Sequence, residues 1–162
     1  MADVHKHLWL LTVLEYLGRK EKPYCWIDTH AGRGLYDLSA PEAQKIKEYE
    51  SGILQVRDHL AASDQPILKI YAQVIGDGDL KTYPGSAYLA ARMLRDADKL
   101  YAYEMHPKEF EFLKRNLKDF RNAKAIKEDG YKGLKSMMPP LIRRGGVLID
   151  PSYEVKDEYD WV

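Results

Sequence analysis

The sequence predicts an α/β fold built on a mainly parallel sheet, and three observations carry that prediction. From about residue 98 onward, short apolar runs alternate with stretches of helical spacing, the pattern of successive βαβ units. The chain has 162 residues, 45% of them hydrophobic and 31% charged, which suits one globular domain and excludes a disordered chain. Each predicted strand runs apolar and then stops at an acid: Asp28, Glu104, Asp129 and Asp150 in turn.

The elements follow in order. Residues 2–20 read as a helix, with Val4, Leu8, Leu11, Leu14, Tyr16 and Leu17 at helical spacing. Pro23 precedes a first strand over 24–28, and Cys25 within it reads as a buried, unreactive thiol. Trp9 and Trp26 are both assigned to the core. Residues 29–39, with Gly32 and Gly34, read as loop. Ile46, Tyr49, Ile53, Val56 and Leu60 place a helix over 41–62. A further helix over 66–75 ends at Gly76, Asp77 and Gly78, and the next spans 86–96. Strands over 99–103, 123–126 and 146–150 then alternate with helices over 107–119, opened by Pro107, and 130–138, closed by Pro139 and Pro140. Residues 37–97, nearly all helix or turn, replace the short crossover expected after the first strand and read as a helical insertion.

Charge and cysteine content narrow the function classes. Twenty-five basic and 25 acidic side chains give no net charge, which argues against a wholly basic nucleic-acid coat protein. Between Lys114 and Arg144, however, ten basic residues stand against three acids, which reads either as a surface for a polyanion or as solvated helix faces. The lone Cys25 excludes a disulfide framework, and no His/Cys/Asp spacing suggests a metal. No apolar run approaches the ~20 residues of a membrane span, and no signal-peptide cleavage site follows the first helix. The expectation is a cytoplasmic protein with no membrane partner.

In an open parallel sheet, ligands sit at the carboxyl ends of the strands. Four carboxylates there suit a ligand with ribose hydroxyls, an exocyclic amine and an ammonium group, although any one of them can instead cap the next helix. The loop Asp28–Thr29–His30–Ala31–Gly32–Arg33–Gly34 allows close approach of a ligand to the backbone. It lacks both the Gly–Lys–Ser/Thr of phosphate loops and the Gly-x-Gly-x-x-Gly of dinucleotide binders. Asp150–Pro151–Ser152–Tyr153 forms a short, stiff platform. Its acid and a backbone carbonyl can accept both protons of an exocyclic amine while the aromatic stacks on the base, which is what methylation of an adenine amine requires. Plainer readings stand beside these. His7 can face solvent, His30 can be a satisfied loop histidine, and His106 and Ser86 can cap helices.

Six segments, in order, resemble the RlmJ-type adenine N6-methyltransferases of large-subunit ribosomal RNA. They are Ala2–Asp3–Val4–His5–Lys6–His7, Ile27–Asp28–Thr29–His30–Ala31–Gly32, Tyr83–Pro84–Gly85–Ser86, Glu104–Met105–His106–Pro107, Glu128–Asp129–Gly130 and Ile149–Asp150–Pro151–Ser152–Tyr153. The resemblance covers essentially the whole chain. It implies a Rossmann-like class I methyltransferase sheet with helices on both faces, using S-adenosylmethionine. His7, Asp28, His30, Ser86, Glu104, Asp129, Gly130 and Asp150 would line the cofactor site, with Glu104 taking the ribose hydroxyls and Asp129 the adenine amine. Asp150 would be catalytic on the Pro151 platform, Tyr153 would stack the flipped base, and Lys6 would lie close to the same site. The partner implied is ribosomal RNA, protein-free or partly assembled, bound by a monomer. Lys114, Arg115, Lys118, Arg143 and Arg144 are candidates to contact its backbone. Family members carry a second proline where this chain has Ser152. They also have a few basic, His-rich residues before the position of Ala2, and they continue past Val162. The expectation is therefore an incomplete methyltransferase domain over 1–162, lacking the strands that complete the sheet and leaving an open edge. Two other readings remain: an RNA-binding methyltransferase fragment without activity, and a nicotinamide-dinucleotide oxidoreductase.

Overall fold

The computed structural model describes residues 2–38, 62–75 and 82–151. Its elements are α1 (Ala2–Gly18), β1 (Cys25–Asp28), β2 (Leu35–Asp37), α2 (Pro66–Ile75), β3 (Thr82–Pro84), α3 (Ser86–Met93), β4 (Lys99–Tyr103), α4 (Pro107–Asn116), β5 (Ala123–Ile126), α5 (Gly130–Met137) and β6 (Gly145–Leu148). All but the last residue of the helix expected over 41–62, and the residues Ser152 and Tyr153, lie outside the described residues.

Four strands form one parallel sheet in the order β5-β4-β1-β6. The predicted parallel architecture is therefore met. The chain steps outward from β1 through β4 to β5 and then returns to the far side of β1 at β6. The order reverses between β1 and β6, which is where such sheets open a ligand crevice. Alternation along the strands sends side chains to both faces. Trp26, Leu100 and Ala102 pack with α1, α2, α3 and α4, whereas Cys25, Ile27 and Tyr103 pack with Leu134 and Met137 of α5. Gly146 sits beside Trp26 in register, and a Cβ there would meet the indole at 2.4 Å, so the strand accepts the large ring only because this position is glycine. Burial pushes the Cys25 thiol pKa up, consistent with an unreactive core residue.

The ends opposite the crevice are tied by one aspartate. Asp98, fully buried, accepts the backbone N–H of Tyr24 at 3.0 Å and that of Arg95 at 2.9 Å. The Arg95 guanidinium donates to both of its oxygens and also reaches the carbonyls of Gly18 and Lys20. Arg144 binds the carbonyls of Lys22 and Leu17 in the same turn. Together they fasten the α1–β1 connection under the sheet.

Several sequence expectations are corrected. Trp9 is not in the core: it is 74% exposed, because the buried stripe of α1 runs through Val4, His7, Leu11 and Leu14, and a residue two positions from His7 points to the opposite side. Tyr16 is exposed for the same reason. The loop over 29–39 contains β2, which pairs antiparallel with β3, Leu35 opposite Pro84 and Asp37 opposite Thr82. Three-residue strands paired across such a separation leave no periodic trace in the sequence. Ser86 does not cap α3. Gly85 occupies the cap position, and Ser86 is the first helical residue with its hydroxyl aimed elsewhere. His106 stands at the cap of α4 through its backbone alone.

Candidate active site

Sequence order places Asp28 and Asp150 more than a hundred residues apart, yet β1 and β6 are neighbours and both acids follow the ends of those strands. The reversal of strand order lies between them. α1 crosses this end, and Lys6 Nζ lies 2.5 Å from Asp150 Oδ2, with both side chains partly exposed. Asp28 lies beneath them, fully buried. Its Oδ2 accepts the Ser86 hydroxyl at 2.6 Å and its Oδ1 the backbone N–H of His30 at 3.2 Å. Burial raises the Asp28 pKa to about 6, against relief from Ser86, His30 and the Lys6 charge, while the charge of Asp150 adds to the rise. Pro151, directly after, is buried. The structure thus brings together Lys6, Asp28, Ser86 and Asp150 from three helix or strand ends and the β6 terminus.

The loop after β1 is held firmly. Thr29 donates both its backbone N–H and its hydroxyl to the Leu148 carbonyl at 3.0 Å, and its hydroxyl lies 2.8 Å from His30 Nδ1. Arg33 forms a two-pronged ion pair with Glu109 of α4, which holds the Glu109 pKa below the usual carboxylate range through the hydrogen bonds from Arg33. Gly130 comes so close that a Cβ there would sit 2.0 Å from the Thr29 carbonyl oxygen, so the loops after β1 and β5 touch only because that residue is glycine. The His30 ring meets Tyr131 edge-on at 5.1 Å.

The two outer acids stand differently. Glu104 Oε1 accepts the backbone N–H of His106 at 2.7 Å. Asp129 Oδ1 accepts the backbone N–H of Lys132 at 2.9 Å and so caps α5. Each keeps a second oxygen without a protein partner among the described residues. His7 is buried, not solvent-facing, and its Nδ1 lies 3.1 Å from Tyr71 Oη and 3.0 Å from Tyr83 Oη. Sequence reasoning missed both tyrosines. Tyr83 stands in the Tyr–Pro–Gly–Ser segment that drew attention for its serine, while Tyr71 carries no local signal.

Of the basic candidates, Lys114, Arg115, Lys118 and Arg143 are exposed, and Arg115 lies over the Phe112 ring at 4.9 Å. Arg144 spends its guanidinium on the carbonyls of Leu17 and Lys22.

These groups fit S-adenosylmethionine by their chemistry. A cationic ligand at the crevice would face the Asp150 carboxylate with the charge of buried Asp28 behind it, and Glu104 and Asp129 each keep an acceptor oxygen suited to hydroxyl or amine protons. The glycine cradle at Gly130 brings the backbone of two loops together at the same strand ends.

A family model described as ribosomal RNA large subunit methyltransferase D, RlmJ, matches residues 21–162. The chain is 39% identical over 166 residues to the ribosomal RNA large subunit methyltransferase J of Haemophilus influenzae, and 37% identical over 163 residues to that of Escherichia coli. Each alignment covers 99% of this chain and 58% of the relative, so the chain spans a little over half the length of the curated relatives it matches. The crystal structure of protein LPL1258 from Legionella pneumophila superposes with a TM-score of 0.88 at 39% identity, over 99% of this chain and 60% of that one.

Proposed function

The chain belongs to the RlmJ family of large-subunit ribosomal RNA methyltransferases, and from that premise we propose that it transfers a methyl group from S-adenosylmethionine to the exocyclic N6 amine of an adenine in large-subunit ribosomal RNA. The observation that carries this reading is the Lys6–Asp150 pair above the buried Asp28, at the point where the strand order reverses.

His7, Asp28, His30, Ser86, Glu104, Asp129 and Gly130 would hold the cofactor, Glu104 at the ribose and Asp129 at the adenine. When bound, the cofactor supplies an electrophilic methyl on a good leaving group. The chain's own task is positioning, which can account for ~7–11 kcal/mol of such a barrier. The target base must leave its stack, at a cost of a few kcal/mol. Asp150 accepts a hydrogen bond from its amine and favours the positive charge that grows on N6 as the new bond forms. The methylated amine is acidic and gives its proton to water. Lys6 orients the Asp150 carboxylate, and Pro151 stiffens the turn that carries it. Tyr153, by its place in the same motif, stacks the base.

The exposed Lys114, Arg115, Lys118 and Arg143 are suited to the RNA backbone, with Arg144 at the margin of that surface. In this reading the protein acts in the cytoplasm as a monomer, on RNA that is free of protein or partly assembled. Residues 1–162 would form part of one methyltransferase domain, with a helical insertion over about 37–97.

The test is Asp150→Ala. Methyl transfer to unmodified ribosomal RNA should fall by at least ~10²–10³-fold. S-adenosylmethionine affinity, read by calorimetry, should change only slightly. Retention of full transfer would remove Asp150 from the catalytic role.

A further inference from the structure

Side chains of the β1–β2 loop, of β2 and of α4 form a row of alternating rings and guanidiniums. Arg33 of the loop lies over the Tyr36 ring at 5.6 Å and over the Phe112 ring at 4.9 Å, and Arg115 lies over the same Phe112 ring at 4.9 Å. Sequence spacing builds the outer half. Phe112 and Arg115 are three positions apart on α4, so they are neighbours on its surface, and the helix tilts Arg115 back over the turn that carries Phe112. The inner half is tied to α4 at two points. Arg33 makes its two-pronged ion pair with Glu109, and the Asn116 side-chain amide donates to the Arg33 carbonyl at 2.9 Å. The two cations that share the Phe112 ring therefore differ. Glu109 matches the charge of Arg33. Arg115 is exposed, and among the described residues its guanidinium pairs with no carboxylate, not even that of Glu111 four positions before it.

We propose that Arg115 is a base-stacking residue: beyond the charge it shares with Lys114 and Lys118, its guanidinium plane receives an unpaired base of the RNA and extends the row by one layer. The inference rests on the reading that the chain acts on ribosomal RNA, and it adds a base contact to a surface described above only by its charge. Three features argue for a nucleotide. A guanidinium is planar, weakly hydrated and stacks on π faces, which an ammonium does not. Contact with Phe112 restricts the Arg115 side chain before any ligand arrives, which lowers the entropy cost of binding. Lys114 on α4 and Lys118 just beyond it are exposed cations for the phosphates that flank the base. The inner end of the row is the loop that begins after Asp28, so an RNA strand held at Arg115 lies on the side of the molecule that leads to the crevice. A partner that is merely acidic, such as an acidic protein segment, would use the charge of Arg115 and not its plane.

The experiment measures fluorescence anisotropy of two labelled probes at one low salt concentration: a short oligoadenylate, and an abasic ribose-phosphate strand of the same length. Arg115→Lys keeps the charge and removes the plane. It should weaken oligoadenylate binding about tenfold and leave binding of the abasic strand unchanged. Lys114→Ala should weaken both probes alike. Oligoadenylate binding by Arg115→Lys as tight as that of the unaltered protein would overturn the proposal. An equal loss for both probes would overturn it too, since Arg115 would then be a phosphate contact, and so would failure of the unaltered protein to bind either probe. Methyl transfer by the unaltered protein, measured alongside, separates this inference from the function beneath it. The expected binding pattern without any transfer keeps the stacking residue and removes the enzyme reading; transfer without that pattern does the reverse.

Discussion

Asp28 and Asp98 are both fully buried aspartates bonded to the backbone beside β1, at opposite ends of the same sheet. Burial pushes both carboxyls upward. At Asp98 the Arg95 guanidinium and the N–H groups of Tyr24 and Arg95 outweigh it, and the pKa falls below the usual carboxylate range. At Asp28 one hydroxyl and one N–H do not suffice, a second acid stands near, and the pKa rises to about 6. The first arrangement holds the chain together. The second leaves a buried carboxyl under-compensated, at the end of the sheet that carries Lys6 and Asp150. Burial alone does not set the state of a buried acid; the surrounding partners do.

Three variants test this contrast, in decreasing order of effect. Asp98→Ala leaves the Tyr24 N–H and the Arg95 guanidinium without their acceptor. It should lower stability by roughly 3 kcal/mol or more in urea unfolding, and a loss under half that would mean that water replaces the carboxylate.

Asp28→Asn should act in the opposite direction. A carboxyl whose folded pKa lies above its unfolded value costs stability once it ionises. That cost is complete above the folded pKa of about 6 and vanishes below the unfolded value of 3.8. The amide should therefore stabilise the protein by at most about 3 kcal/mol at pH 7.5. The gain should disappear as pH falls from 6 to about 4. A gain independent of pH would show that the charge is not its source.

Asp129→Ala, which removes a cap on α5 at an exposed strand end, should cost about 1 kcal/mol at neutral pH. A much larger loss would place Asp129 with Asp98 as a structural tie.

Much of the fold was legible because it is written locally. Apolar runs of four or five residues, Pro107 at a helix start and an acid after each strand located β1, β4, β5, α4 and α5 to within a few residues. The gathering of four acids at one edge was legible for the same reason, since a parallel sheet sends every strand end to one edge. Other features depend on partners distant in sequence. Trp9 read as core by composition, yet the angular position of His7, Leu11 and Leu14 turns it outward. Ser86 has the residue type of a cap, but Asp28, 58 positions earlier, takes its hydroxyl.

The sequence by itself determined the α/β class, the parallel order of acids at strand ends and the family, because these follow from periodicity and motif, which act over a few residues. The tertiary structure alone decided that Lys6 pairs with Asp150, that Asp28 lies beneath them under-compensated, and that two tyrosines hold His7. Each of these is a hydrogen bond or ion pair across 58 or more residues. Its existence depends on which elements the sheet and helices bring within about 3 Å, a distance that no local pattern encodes.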